Sequence, residues 1–135
     1  AFGEHVIGKE VEQALKDALD NSSIQVSEFT VAPQINPSQG LPYHEWLIEF
    51  ENEPKNLQEI IDKIEDSLQK QNSYYFDLIE GNVLQPLKIT QIKKNGFQDY
   101  MKSIGKLGGQ NKIPRLSNNR EYLEALLKLD IDAKV

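Results

Sequence analysis

The sequence predicts an α+β fold, in which a small mixed or antiparallel sheet of three to four strands is packed with helices. Two patterns indicate this class. Several segments place apolar residues at spacings of three and four, which is typical of amphipathic helices, and shorter segments alternate apolar with polar residues, which is typical of strands. The chain has 135 residues, a length that fits one domain, so we expect residues 1–135 to form a single unit.

The helices are predicted from their apolar stripes and from the residues that end them. The stripe of residues 55–70 is the longest, Pro54 suits its first turn, and we expect this stripe to be buried against the sheet. It comprises Leu57, Ile60, Ile61, Ile64 and Leu68. The other predicted helices cover residues 9–20, 72–80 and 97–104, the last of these ended by Gly105, and a final helix begins after Asn118 or Asn119.

The strands are predicted over residues 24–31, 43–51 and 87–92. In the first of them the alternation slips between Val26 and Phe29, which suggests a bulge. The second alternates most regularly, and its second face is mixed, so we expect one side to be buried and the other to be partly solvated. The face expected to be buried carries His44, Trp46, Ile48 and Phe50, and the other carries Glu45, Leu47, Glu49 and Glu51. The proline-rich residues 32–42 are expected to form a long hairpin connection.

The usual catalytic and metal-binding patterns are missing from the sequence. There is no cysteine, and the two histidines, His5 and His44, have no nearby partner of the kind that metal sites show. We therefore expect no metal site, and we expect His44 to be a strand residue beside Trp46. Some acidic pairs resemble acid/base dyads, but we expect them to lie on solvated faces instead. These pairs are Glu49 with Glu51, and Asp62 with Glu65 or Asp66.

Composition restricts the expected partners and location. A net charge of -6 opposes broad attraction to nucleic acid or to an acidic membrane, because neutralising phosphates needs a concentrated basic face. No apolar run is long enough to cross a bilayer, and no secretory segment is visible. The lack of cysteine fits a reducing compartment. We therefore expect a cytoplasmic protein that binds neither nucleic acid nor membrane.

One loop carries chemically useful residues in a setting that core packing does not explain. Residues 108–115 read Gly-Gly-Gln-Asn-Lys-Ile-Pro-Arg, so two glycines precede two cations, Lys112 and Arg115. A flexible loop of this kind is suited to closing over an anion such as a triphosphate. Two plainer interpretations stay open, namely a solvated basic connector between helices and a stand-alone module that binds a small anion or a protein without catalysis.

An ordered series of short motifs resembles the end of the auxin-responsive Gretchen Hagen family of acyl-acid amido synthetases, which are adenylate-forming enzymes. The motifs are Asn72-Ser73 with Tyr75, Pro86-Leu87-Lys88-Ile89, Asn95-Gly96-Phe97, Met101, Gly109, Gln110 and Lys112-Ile113-Pro114-Arg115. The chain departs from the plant pattern at Asn111, where an aromatic residue is usual, and at Leu116, where a cysteine is common. These departures favour a bacterial member of the family.

The resemblance implies a C-terminal lid domain whose large N-terminal adenylation domain is not in this chain. The implied enzyme is an ATP-dependent ligase that uses ATP and Mg²⁺, held mainly by that N-terminal domain, to adenylate a carboxylic acid and transfer the acyl group to an amine such as an amino acid. Lys112 is the implied catalytic residue, Arg115 and Gln110 the implied phosphate-binding or loop-supporting residues, and Phe2 and Gly3 the implied hinge. The isolated chain is expected to be inactive, and a purely structural lid that has lost the role of the lysine stays open as an alternative.

Overall fold

The computed structural model of the protein describes residues 6–35, 40–105, 113–117 and 120–134. The described residues form five helices and three strands, which confirms the predicted α+β class. In chain order the elements are α1 (Gly8–Leu19), β1 (Val26–Gln34), β2 (Tyr43–Phe50), α2 (Leu57–Gln71), α3 (Ser73–Glu80), β3 (Lys88–Gln91), α4 (Gly96–Ser103) and α5 (Glu121–Lys134). Among the described helices, none combines the length and the apolar character that crossing a bilayer requires.

The three strands form one mixed sheet with β2 at its centre. β1 pairs with β2 in the antiparallel direction, whereas β3 pairs with β2 in the parallel direction. A parallel pair cannot be joined by a tight turn, so the chain crosses over from β2 to β3 through α2 and α3. The sheet order leaves β1 at an edge, and this position matters for the candidate site.

β1 contains the predicted bulge. Its register on β2 shifts between Val26 and Glu28, so that Ser27 is the additional residue. Because side chains alternate along a strand, an unbroken strand would place Val26 on the face of Glu28. The additional residue instead lets Val26 pack against the same core cluster as Phe29.

β1 continues to Gln34, beyond its predicted end at residue 31. The presence of Pro33 argued against a strand here, because proline has no backbone N–H to donate to a neighbouring strand. Val31 directs both its N–H and its carbonyl away from β2, towards residues 115 and 117. Pro33 lies two residues further on and therefore has the same outward position, where the missing N–H costs no bond to β2.

Helices cover both faces of the sheet. α1, α2 and α3 pack on the face of Trp46 and Ile48, while α4 and α5 pack with Leu47 on the opposite face. Every residue of β2 after Tyr43 is buried as a result. The prediction that one side of this strand is partly solvated was therefore wrong, because the helices that cover it come from much later in the chain.

Two carboxylates predicted to be solvated are buried, and the structure shows why. Glu49 accepts hydrogen bonds from the backbone N–H groups of Asn95 (3.0 Å) and Phe97 (3.2 Å) at the start of α4. The free N–H groups and the dipole of a helix start favour a negative charge there. Glu65 accepts from the Tyr75 hydroxyl (2.6 Å) and from the Leu87 N–H (2.6 Å). The other acids named with them are exposed, as predicted: Glu51, Asp62 and Asp66.

The predicted apolar stripe of α2 is buried over part of its width. The fully buried members are Ile60, Ile64 and Leu68, whereas Leu57 and Ile61 are half-buried at the margin. The helix begins at Leu57, and the side chain of Asn56 accepts a hydrogen bond from the Glu59 N–H (3.1 Å). Pro54 therefore precedes the cap and is not part of the first turn, contrary to the prediction.

Truncation of Ile64 is expected to destabilise the fold much more than truncation of Ile61. Ile64 has no exposed surface, so Ile64→Ala should leave a cavity and lower the free energy of unfolding by about 2–5 kcal/mol. Ile61→Ala should cost less, because water already reaches part of that side chain. Urea denaturation of the two variants measures the difference. Equal losses, or a loss below about 0.5 kcal/mol for Ile64→Ala, would contradict this core assignment.

His44 is buried, as expected for a strand residue beside Trp46. Its ring lies against that of Tyr75, with 5.7 Å between the centroids. Burial lowers the pKa of His44 from its usual 6.5 to about 4. Burial, followed by the charge of Glu65, raises the pKa of Tyr75, so its hydroxyl keeps the proton that it donates to that carboxylate. The core beside the central strand is thus built around a neutral imidazole.

Acid should destabilise the protein through His44. Its pKa is lower in the folded than in the unfolded chain, so this contribution is complete above pH 6.5 and is lost as the pH falls towards 4. The loss should reach about 3 kcal/mol. Urea denaturation between pH 7 and 4 should show a flatter pH dependence for His44→Phe than for the wild type. An identical pH dependence in His44→Phe would refute the assignment.

Candidate functional site

Residues 113–117 lie along the free edge of β1. The Val31 N–H donates to the Arg115 carbonyl (3.0 Å), and the Ser117 N–H donates to the Val31 carbonyl (2.9 Å). Leu116 forms a parallel bridge with Val31 between these two bonds. An edge strand leaves a row of backbone groups in need of partners, and this segment supplies some of them. We call residues 113–117 the edge segment.

The first residues of the edge segment are held as well. The Thr30 hydroxyl donates to the Pro114 carbonyl at 2.6 Å. Ile113 is buried and belongs to the apolar cluster beneath α4 and α5. Pro114 cannot donate a backbone hydrogen bond, so its carbonyl and the side chain before it provide the attachment. The segment is thus fixed to β1 and to the core from its first residue onwards.

The Arg115 side chain fastens the edge segment to two further elements. Its guanidinium donates to the Glu28 carboxylate and, at 3.1 Å, to the Phe29 carbonyl. Its Nε lies 3.4 Å from an oxygen of Glu12 on α1. The same group covers the Phe29 ring at 4.6 Å, and that ring stacks on Trp46 with 6.0 Å between centroids. Charge, hydrogen bonds and ring contact therefore act together on one arginine.

These contacts are those of a supporting residue. The Arg115 side chain is 34% exposed and faces two carboxylates, so much of its charge is already balanced. A phosphate that approached it would have to compete with both of them. Of the two roles that the resemblance implies for Arg115, phosphate binding or loop support, the geometry favours loop support.

Several residues of the predicted site lie outside the described residues. They are Lys112, Gln110 and the hinge residues Phe2 and Gly3. Covalent geometry still relates one of them to the edge segment. Lys112 directly precedes Ile113, and consecutive Cα atoms are separated by about 3.8 Å.

A second arginine, which no sequence motif singled out, ties this region together. Arg120 donates to Glu45 of β2 (2.8 Å) and to Glu124 of α5 (2.7 Å). The Thr90 hydroxyl of β3 donates to the other oxygen of Glu45 at 2.7 Å. The spacing of Arg120 and Glu124 was a readable helix signal, but Glu45 is too distant in sequence to be found in that way. The Arg120 contacts join the start of α5 to the centre of the sheet.

The described residues contain no cluster of three or more histidine, cysteine, aspartate or glutamate side chains that could hold a metal ion. The buried carboxylates are instead occupied by protein donors. Glu49 receives backbone N–H groups, and Glu45 receives Arg120 and Thr90.

Comparison with known proteins shows which known family and structures this domain resembles. Residues 9–121 match the GH3 family C-terminal domain. A solved structure of a GH3.15 acyl acid amido synthetase is similar to the chain with a TM-score of 0.70 and 22% sequence identity, over 88% of this chain and 24% of that chain. A structure of AtGH3.15 acyl acid amido synthetase in complex with 2,4-DB is similar with a TM-score of 0.67 and 21% identity, over 88% of this chain and 23% of that chain. A comparison with curated proteins found no match.

The two structural matches share the fold, and this chain spans about a quarter of their length. They give no support to the bacterial origin expected from the departures at Asn111 and Leu116. The family match confirms the resemblance that the motifs indicated, and it extends from the second residue of α1 to the first residue of α5. It thus includes the whole sheet and the edge segment, and the chain belongs to the GH3 family, as its C-terminal domain.

Proposed function

We propose that this chain is the C-terminal lid domain of an ATP-dependent acyl-acid amido synthetase. The match of residues 9–121 to the GH3 C-terminal domain carries this proposal. The names of the two similar structures support an acyl acid as the substrate class. A large N-terminal adenylation domain of the same polypeptide, in the cytoplasm, would be the partner of this domain and would hold ATP, Mg²⁺ and the acid.

The proposed reaction has two steps. In the first, a carboxylate oxygen of the acid attacks the α-phosphorus of ATP, the bond to the bridging oxygen breaks, and pyrophosphate leaves. In the second, the nitrogen of an amine, such as that of an amino acid, attacks the acyl carbon of the adenylate. The amide forms, AMP leaves with the electrons of the broken acyl–oxygen bond, and the nitrogen releases a proton.

Lys112 would serve the first step. Negative charge builds on the bridging and leaving phosphate oxygens during adenylation, and a cation positioned there in advance lowers the barrier. An ammonium group on a flexible stem can reach such oxygens. Arg115 is engaged with Glu28 and Phe29, which leaves Lys112 as the cation that the loop offers to the substrate. Gln110 would add a polar contact from the same loop.

The lid would move between the two steps. Rotation about a hinge at Phe2 and Gly3 would withdraw Lys112 after adenylation and give the amine access to the acyl group. Glycine suits a hinge because it tolerates large changes of backbone angle. The edge segment supports a movement of the domain as one body, since residues 113–117 are bonded to β1 and packed on the core.

Lys112→Ala in the full-length enzyme should slow acyl-adenylate formation by roughly 100- to 1,000-fold, because one positioned charge is lost from the transition state. The reaction of a supplied acyl-adenylate with the amine should change much less. Single-turnover measurement of each step tests this expectation, and Lys55→Ala, which removes an exposed lysine before α2, serves as the matched control. Equal slowing of both steps would assign Lys112 to folding or docking and would argue against the catalytic role.

The stand-alone binding module predicts a different result for the isolated chain. Under the lid proposal the chain should neither exchange pyrophosphate into ATP nor bind ATP tightly, because the nucleotide pocket lies in the N-terminal domain. Calorimetric titration of the isolated chain with ATP distinguishes the two. Micromolar affinity would favour the binding module and count against the lid.

A further inference from the structure

We infer that Glu28 is a positioning residue for the adenylation step, acting through Arg115 on the loop that carries Lys112. This inference rests on the proposed function and assigns a role to a residue that the sequence motifs do not single out. Glu28 lies on β1, and its partner Arg115 follows 87 positions later in the chain, so only the fold brings the two together.

The Glu28 carboxylate is itself held in place. It follows the bulge in β1, and its Oε1 accepts the backbone N–H of Phe29 at 3.1 Å as well as the guanidinium of Arg115. Its side chain is 26% exposed, so solvent screens this ion pair less than it screens a fully exposed pair. The carboxylate thus offers Arg115 a fixed partner on a strand, and strands position side chains more accurately than loops.

Glu12 cannot replace it with the same accuracy. The Glu12 side chain is 59% exposed, and its oxygen lies 3.4 Å from the Arg115 Nε. That contact comes from a surface helix and is open to water, so it constrains the guanidinium only weakly. Without the Glu28 charge, Arg115 would be free to follow Glu12 outwards and away from the Phe29 ring and carbonyl.

The backbone around Arg115 is part of the attachment of the edge segment to β1. The Arg115 carbonyl accepts the Val31 N–H, and the carbonyl of the preceding Pro114 accepts the Thr30 hydroxyl. Loss of the Arg115 side-chain contacts would leave the edge segment to these hydrogen bonds and to Ile113, directly after Lys112 in the chain. A misplacement of about 1 Å in a catalytic group can slow a reaction by about 100-fold.

The test is a double-mutant cycle in the full-length enzyme. Glu28→Gln removes the charge and keeps the shape, and Arg115→Lys keeps the charge and removes the planar fork. Each should slow single-turnover acyl-adenylate formation by roughly 10- to 100-fold. In a Lys112→Ala background neither should slow it further, because both act through Lys112. The reaction of a supplied acyl-adenylate with the amine should be unchanged in both variants.

Glu59→Gln provides a matched control, since it removes a carboxylate from an exposed ion pair with Lys63 (3.2 Å) on α2. This variant should leave both steps as in the wild type. A general loss of stability would have a different signature, because it would slow both steps and would do so with or without Lys112. Having two variants of the pair keeps the test decisive if one of them folds poorly.

Two results would overturn the inference while leaving the proposed function intact. One is that Lys112→Ala impairs adenylation but Glu28→Gln and Arg115→Lys do not. The other is that both variants slow adenylation by the same factor in the presence and absence of Lys112. If Lys112→Ala leaves adenylation unchanged, the proposed role of the loop fails first, and the role of Glu28 fails with it.

Discussion

Burial of the central strand on both faces is the constraint on which the rest of this domain depends. Trp46, Leu47 and Ile48 are fully buried, although they point alternately to opposite sides of the sheet. Two separate groups of helices are therefore required, one on each face. The same burial forces Glu45 and Glu49 to find protein partners, because an unpaired carboxylate in such a place is costly.

Those carboxylates organise the C-terminal half of the chain. Glu49 lies at the start of α4, and Glu45 binds Arg120 just before α5. Each polar residue on the second face of β2 thus fixes the beginning of one of the helices that cover that face. The edge segment lies between α4 and α5 in sequence and occupies the free edge of the sheet next to them. The two buried carboxylates thus fix the starts of the helices that precede and follow the edge segment in the chain.

Features that depend on neighbouring residues were predictable from the sequence, and features that depend on distant ones were not. The helix stripes and the bulge after Val26 follow from local periodicity. The burial of Glu49 was missed because its donors, Asn95 and Phe97, follow more than 40 residues later. The family was recognisable because its motifs occur in a fixed order, but the partner of Arg115 on β1 is set by strand geometry, of which the motifs carry no trace.

The proposed chemistry places two opposed demands on the loop, and the structure suggests how one domain can meet both. Under the proposed function, Lys112 would have to be held accurately during adenylation and be withdrawn before the amine reacts. A loop that moved on its own would lose accuracy. The edge segment is instead fixed by backbone bonds to Val31, by burial of Ile113 and by the contacts of Arg115. Under the proposed function, accuracy would come from the sheet edge, and withdrawal would come from rotation of the domain about the proposed hinge at Phe2 and Gly3.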